Sequence, residues 1–351
     1  MNSLDRAEQF LAGGKPSRAL AILKKSGGSP RASYLLAEAW RLSGDCRSAL
    51  PHYKKAIADF CGEDDLKCRA LNGYAAALRT LGVSGQALAA AGRAAAIASD
   101  YGFEDFLLEA RLERAMALRA MGRLAQSALE LERIGVEYKR LGDLEGIAYI
   151  HWAKGGLLRL QGRFEASIRE FKASASCAKR LKDSGTLGYA YFGLAGVSRV
   201  AGDIASSEKY YRLAGKIFSK SDDMFARAYA FCGLANALRQ KGAMDEAFSL
   251  YKQADRLYSH IGDRADLGFV KWGMGVVLEY RGRLAEALRL YRESEALFKG
   301  FSEARGLALS GLRQASVLYL MGKTAEAERK YDAAVKLARK EGLHTYLEHF
   351  T

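Results

Sequence analysis

The sequence predicts an all-α solenoid of about nine helix-turn-helix units, and three observations carry that expectation. Glycines recur at Gly14, Gly44, Gly82, Gly122, Gly162, Gly202, Gly242, Gly282 and Gly322, with spacings of 30, then 38, then six times 40 residues. Self-similarity at a fixed period of this size marks stacked structural repeats. The residues around each glycine recur in the same columns. The chain also holds only 3 Pro among 351 residues and almost no β-branched alternation, which suits helices throughout.

Each unit reads as two helices on either side of its glycine. Helix A precedes it. Offsets of minus 8, minus 7 and minus 4 hold apolar or small residues such as Leu194 with Ala195, Leu234 with Ala235 and Leu238, and Met274 with Gly275 and Leu278. Helix B follows. Five residues after the glycine stands Ala or Ser (Ala49, Ala87, Ser127, Ser167, Ser207, Ala247, Ala287), and nine after it usually a large apolar residue (Tyr53, Leu131, Phe171, Tyr211, Tyr251, Tyr291), Ala91 excepted. Twelve after it comes a small residue (Ala56, Ala94, Ser174, Ala214, Ala254, Ser294). Steps of 4 and 3 place these positions on one helical face. Small residues opposite large ones let two helix axes approach to about 8–10 Å.

The glycine ends helix A, because the residue after a helix commonly needs positive φ. Asp143, Asp183, Asp223 and Asp263, with Glu303 in the same column, are N-cap residues for the next helix A. Gly142 and Gly262 close the helix B before two of them. Pro51 falls inside the second helix B, where its missing amide predicts a kink or a delayed start.

These columns resemble the tetratricopeptide repeat: small at plus 5, aromatic at plus 9, small at plus 12. Segments such as Ile261-Gly262-Asp263-Arg264 leading into Trp272-Gly273-Met274-Gly275 resemble its long-helix variety, found in Pins-type polarity adaptors, kinesin light chains and bacterial regulators. The resemblance covers nearly the whole chain. It implies a right-handed superhelix over residues 1–342, with 343–351 as a C-terminal tail or capping segment. The period departs from the standard 34 residues, and the usual late proline is matched only by Pro30 in the short unit.

The residues exclude several functions. The N-terminus carries Asp5 and Glu8 and no apolar core, unlike a signal peptide. The longest uncharged run, residues 184–198, falls short of the roughly 20 residues of a membrane span. Cys46, Cys61, Cys68, Cys177 and Cys232 show no Cys-x-x-Cys spacing and read as buried thiols of a cytoplasmic protein. Gly322-Lys323-Thr324 lacks the glycine of a phosphate loop, since position 317 is Val317. Gly273 and Gly275 lack the third glycine of a dinucleotide loop. His52, His151, His260, His344 and His349 lack metal-ligand spacing. No metal, cofactor or catalytic set is expected.

A second stripe on helix A, at minus 13, minus 10, minus 6 and minus 3, lies about 100° from the core stripe. The resemblance implies that it lines the concave groove and contacts bound peptides. At minus 3 stand Arg41, Arg79, Arg119, Arg159, Arg199 and Arg239, before Glu279 and Tyr319. At minus 10 stand Tyr34, Asn72, Leu112, Trp152, Phe192, Cys232, Trp272 and Leu312, and at minus 13 Tyr149, Tyr189, Tyr229 and Phe269. Minus 6 is short in several units, with Ala76, Gly156, Gly196, Asn236 and Ser316, leaving a floor that a ligand backbone can approach.

Adjacent A helices about 10 Å apart set one arginine against about every third residue of an extended peptide, which rises about 3.3 Å per residue. Guanidinium groups bind carboxylates bidentately and stack on rings. The expected function is therefore a non-catalytic scaffold that binds an extended, acidic segment of a partner protein. A sensor of short peptides or small effectors is the first alternative. Single-stranded nucleic acid is the second, since the net charge is +14 and arginines alternate with rings.

Overall fold

The computed structural model describes residues 2–26, 28–60, 62, 64–300, 304–341 and 343. Among them eighteen helices follow one another, and no strand interrupts them. They pair as α1 (Ser3–Ala12) with α2 (Pro16–Leu23), α3 (Pro30–Leu42) with α4 (Cys46–Asp59), α5 (Asp64–Thr80) with α6 (Ser84–Asp100), and α7 (Glu104–Ala120) with α8 (Leu124–Leu141). Next come α9 (Leu144–Leu160) with α10 (Phe164–Leu181), α11 (Ser184–Val200) with α12 (Ile204–Phe218), and α13 (Met224–Gln240) with α14 (Met244–Ile261). The last pairs are α15 (Arg264–Tyr280) with α16 (Leu284–Lys299), and α17 (Ala304–Leu320) with α18 (Thr324–Lys340). Odd-numbered helices are the expected A helices and even-numbered ones the B helices. The expected tail from 344, Glu303, Cys61, His344 and His349 lie outside the described residues.

All nine turn glycines adopt positive φ, from +65° at Gly14 to +89° at Gly44 and Gly242. The amide of the glycine donates to the minus 3 carbonyl and the next amide to the minus 4 carbonyl, as in Gly82 to Arg79 (3.0 Å) and Val83 to Leu78 (2.8 Å). These are the two bonds of a Schellman motif. Four aspartates cap as expected: Asp143, Asp183, Asp223 and Asp263 accept from the amides of Gly146, Thr186, Ala226 and Asp266 at 2.9–3.1 Å. Gly142 and Gly262 close their B helices in the left-handed region. Lys182 holds that conformation (φ +56°) without the freedom of a glycine. Pro51 does not delay α4, which starts at Cys46, two residues after the turn glycine, and runs through it.

Packing follows the columns. The plus 5 residues from Ala19 to Ala327 are all buried, as are the plus 12 residues Ala56, Ala94, Ser174, Ala214, Ala254 and Ser294. The large plus 9 side chains enter a seam whose other side sequence reading had left unassigned. At minus 9 of the following unit stand Gly73, Gly193, Gly233 and Gly273, facing Tyr53, Phe171, Tyr211 and Tyr251. A Cβ at these glycines would lie 2.0–2.5 Å from the facing ring or its hydroxyl oxygen, well inside contact distance. Where plus 9 is Ala91, the minus 9 residue of the following unit is Glu113.

The chain divides into two compact units, one of Met1–Val197 with Leu213–Arg227 and one of Ser198–Arg212 with Ala228–Thr351. In the first, each helix from α1 to α9 packs on its successor, and the A helices α1, α3, α5 and α7 also pack on one another. At its far end the Met224 amide donates to the Ser43 carbonyl (3.2 Å), and the Gly44 turn lies directly against the Phe225 backbone. In the second, α14 to α18 pack in succession, and α15 also meets α17. Among the described residues no helix is long and apolar enough to cross a membrane.

Candidate functional site

The minus 3 arginines occupy the last turn of their A helices, and Arg41, Arg79, Arg119, Arg159, Arg199 and Arg239 are all half-buried. This position has a local cause. The C-terminal end of a helix carries partial negative charge that favours a cation. What each guanidinium does next differs along the row.

Arg41 and Arg79 are matched internally. Arg41 bonds Glu38 in its own helix (2.6 Å) and the Tyr53 hydroxyl (3.1 Å). Arg79 reaches across to α7 and holds Glu113 in a two-pronged pair at 2.9 and 3.3 Å. Burial opposes both charges, but Glu38 and Glu113 outweigh it and hold the guanidinium pKa values above the usual one.

Arg119 and Arg159 form no ion pair among the described residues. Arg119 lies across α9, donating to the Ala153 carbonyl (3.3 Å) with its guanidinium carbon 5.5 Å from the Trp152 ring centre. A Cβ on Gly156 would meet its Nη1 at 2.4 Å. The expected open floor is therefore covered at Gly156 by the preceding unit's arginine. Burial, then the like charges of Arg79 and Arg159, bring Arg119 down to about 10. It stays charged at neutral pH, and Glu113, already held by Arg79, offsets the lowering only in part.

The rings beside them form a continuous seam. Tyr149 and Trp152 lie 5.4 Å apart, and Trp152 meets Tyr189 at 6.4 Å while its Nε1 donates to the Tyr189 carbonyl (3.2 Å). Tyr189 packs on Phe192 and Phe218 and donates its hydroxyl proton to Asp223 (2.7 Å). Phe192 is only 4% exposed and stacks on Phe218, so it fills the seam. Tyr149, Trp152 and Tyr189 keep part of their surface open.

A cleft of about 350 Å³ opens between α3, α5 and α7, lined among others by Tyr34, Glu38, Asn72, Phe106 and Glu109. Partial desolvation at the cleft rim raises the Glu109 carboxyl pKa above the usual range, against the Asn72 hydrogen bond and Arg69. Sequence reading missed Glu38, Arg69, Glu109 and Glu113, which stand in or beside the very columns that hold rings or small residues in later units. Following each column to its exceptions finds all four.

In the second unit Arg239 donates to the Tyr251 hydroxyl (3.2 Å), which donates on to Asn236 Oδ1 (2.7 Å). Its guanidinium also stands 5.2 Å from the Trp272 ring centre. Trp272 is buried, 5% exposed. Phe269 packs on Phe298 at 4.7 Å beneath Arg305, and Tyr229 is half-buried. Tyr291 repeats the arrangement, donating to Glu279 at 2.5 Å. No three His, Cys, Asp or Glu side chains gather as metal ligands among the described residues.

Stacked helix pairs with a side-chain-lined A wall define a helical-repeat protein. Residues 226–300 match the family model described as Tetratricopeptide repeat. Similar solved structures include a Rap protein complexed with competence and sporulation factor (TM-score 0.61, 14% identity, 93% of this chain and 98% of that one). Another is the apo form of the quorum sensor NprR from B. thuringiensis (TM-score 0.61, 11% identity, 95% and 97%). A third is a signal transduction ATPase with a tetratricopeptide repeat sensor from Pyrococcus horikoshii (TM-score 0.59, 13% identity), where the match covers 98% of this chain and 55% of that one. No curated protein matches the chain by sequence.

Proposed function

We propose that this protein is a non-catalytic binding scaffold whose A-helix wall takes an extended, acidic segment of a partner protein. Arg119 and Arg159 supply the anion contacts, and the open parts of Tyr149, Trp152 and Tyr189 supply the apolar surface. One observation supports the proposal: the wall neutralises Arg41 and Arg79 with its own carboxylates, whereas Arg119 and Arg159 have no ion pair among the described residues. Arg199, Arg239, Asn236, Tyr229, Phe269 and Trp272 form the corresponding surface of the second unit, where Arg239 and Trp272 act more through packing than through exposure.

A second reading, a sensor of short signalling peptides, is favoured by the likeness to the Rap complex and to NprR over more than nine-tenths of this chain. Both readings place a peptide on the same wall and differ in its length.

A randomised peptide library tests the proposal. The wild type should retain acidic sequences, and Arg119→Ala with Arg159→Ala should lose them by about 10-fold or more per charge-assisted bond removed. Retention of polyuridine instead, with affinity falling log-linearly in salt as counterions are released, would favour nucleic acid and overturn the proposal.

A further inference from the structure

The cleft between α3, α5 and α7 is lined by a residue, Asn72, whose side-chain acceptor has no donor among the described residues. Asn72 is only 6% exposed. Its Nδ2 donates to the Phe106 carbonyl and to Glu109 Oε2, both at 3.3 Å. Its Oδ1 is buried and has no donor among the described residues. Exchanging the two amide atoms does not repair this. It would set Oδ1 against two oxygens and lose both bonds, so the carboxamide orientation is fixed by its neighbours. A buried acceptor left in this state is costly, and Asn72 lines the cleft.

The second acceptor is Glu109, at the exposed rim. Of the three carboxylates lining the cleft, Glu38 is paired by Arg41 and Glu113 by Arg79. Glu109 has no ion pair among the described residues. Arg69 also lines the cleft, but it is drawn to the Phe106 ring at 5.2 Å and to Glu8 at 4.0 Å. Tyr34, Phe106 and Tyr149 give the cleft aromatic walls, which favour a desolvated cation.

We propose that this cleft is a subsite for a primary ammonium group of the bound peptide, held by Asn72 Oδ1 and the Glu109 carboxylate. Two single acceptors on two different helices suit a compact group with three rotatable donors better than the flat fork of a guanidinium. The proposal rests on the reading of the A wall as a peptide surface, and it adds polarity to the ligand. Glu109 and Arg119 stand ten residues apart on α7, or about 15 Å of helix. The ammonium and the acidic group should thus be separated by about four or five extended residues. The chain terminus and a lysine side chain both offer such a group.

The test uses the full chain and heptapeptides ending in Asp-Glu, randomised in the middle and made in three versions. The first has a free N-terminus and no lysine; the second is acetylated with one lysine at position 1; the third is acetylated and lysine-free. The third should bind about 10- to 100-fold more weakly than the better of the other two, the loss of one or two charge-assisted bonds. Which of the first two binds tells the terminus from the side chain. Glu109→Gln, an exposed change that leaves the fold intact, should remove that preference, and so should Asn72→Leu if its helical signal is unchanged. Equal binding of all three versions, still abolished by Arg119→Ala with Arg159→Ala, would overturn this subsite and leave the peptide surface standing. No binding of any version would overturn both.

Discussion

Replacing Gly193 by Ala probes how successive units interlock. In an ordinary helix interior the change stabilises by about 1 kcal/mol through backbone entropy. Gly92 in α6, with nothing within 4 Å of a new Cβ, should behave in that way. At Gly193 a Cβ would stand 2.2, 2.3 and 2.6 Å from three carbons of the Phe171 ring. Carbon contacts settle near 3.5–4.0 Å, so the ring must retreat by about 1.5 Å. It has little room, being 2% exposed and also close to Gly155, whose Cβ position lies 2.9 Å from the ring. Overpacking at the upper end of its range, about 3 kcal/mol, less the helix gain of about 1 kcal/mol, leaves a net loss of about 2 kcal/mol.

Urea unfolding followed by helical circular dichroism measures both variants. Phe171→Leu supplies the cross-check: combined with Gly193→Ala it should lose at least about 1 kcal/mol less than the two changes summed, the mark of residues in contact. If Gly193→Ala stabilises as Gly92→Ala does, or if the double variant is simply additive, the interlock is not what joins these units.

Three further outcomes follow from particular residues. Arg79→Ala should destabilise by about 1–3 kcal/mol, since it strands the half-buried Glu113, whereas Arg159→Ala should stay within about 0.5 kcal/mol; thermal melts compare them. Lys182→Gly should stabilise by about 1 kcal/mol by relieving a left-handed lysine, read by urea midpoint at unchanged slope. Burial, then the neighbouring Asp266, raise the Asp263 carboxyl to about 8, above its unfolded value near 4. The folded state then binds the extra proton, so this residue's contribution to stability is present below about pH 4 and is lost as pH rises toward 8. Asp263→Asn, which keeps the cap, should flatten that dependence in melts across pH 4–8.

The fold was legible because its signals are local. A left-handed turn demands a glycine such as Gly82, and a free helix start demands an acceptor such as Asp143, wherever the helices go. The seam was only half legible. The plus 9 ring and the minus 9 glycine lie on different units, so Tyr53 with Gly73, or Phe171 with Gly193, shows as a pair only once the helices are stacked. The candidate site was least legible. The arginine column reads as one row, yet its members differ by what stands opposite: Glu38 for Arg41, Glu113 for Arg79, and the Ala153 carbonyl with the Trp152 ring for Arg119. Phe192 and Trp272 share the column of Trp152 but are sealed by Phe218 and Arg239, neighbours that column counting does not supply.

The central claim is that the ligand lies on the A-helix wall of the first unit. A photoreactive phenylalanine derivative placed at Trp152, and separately at Arg169 on α10, tests it most directly when each full-length variant is irradiated with the acidic peptides retained by the wild type. The account predicts cross-linking from position 152, suppressed by excess unlabelled peptide, and none from position 169. Cross-linking from 169 alone would put the ligand on the B-helix side and contradict the assignment of the wall.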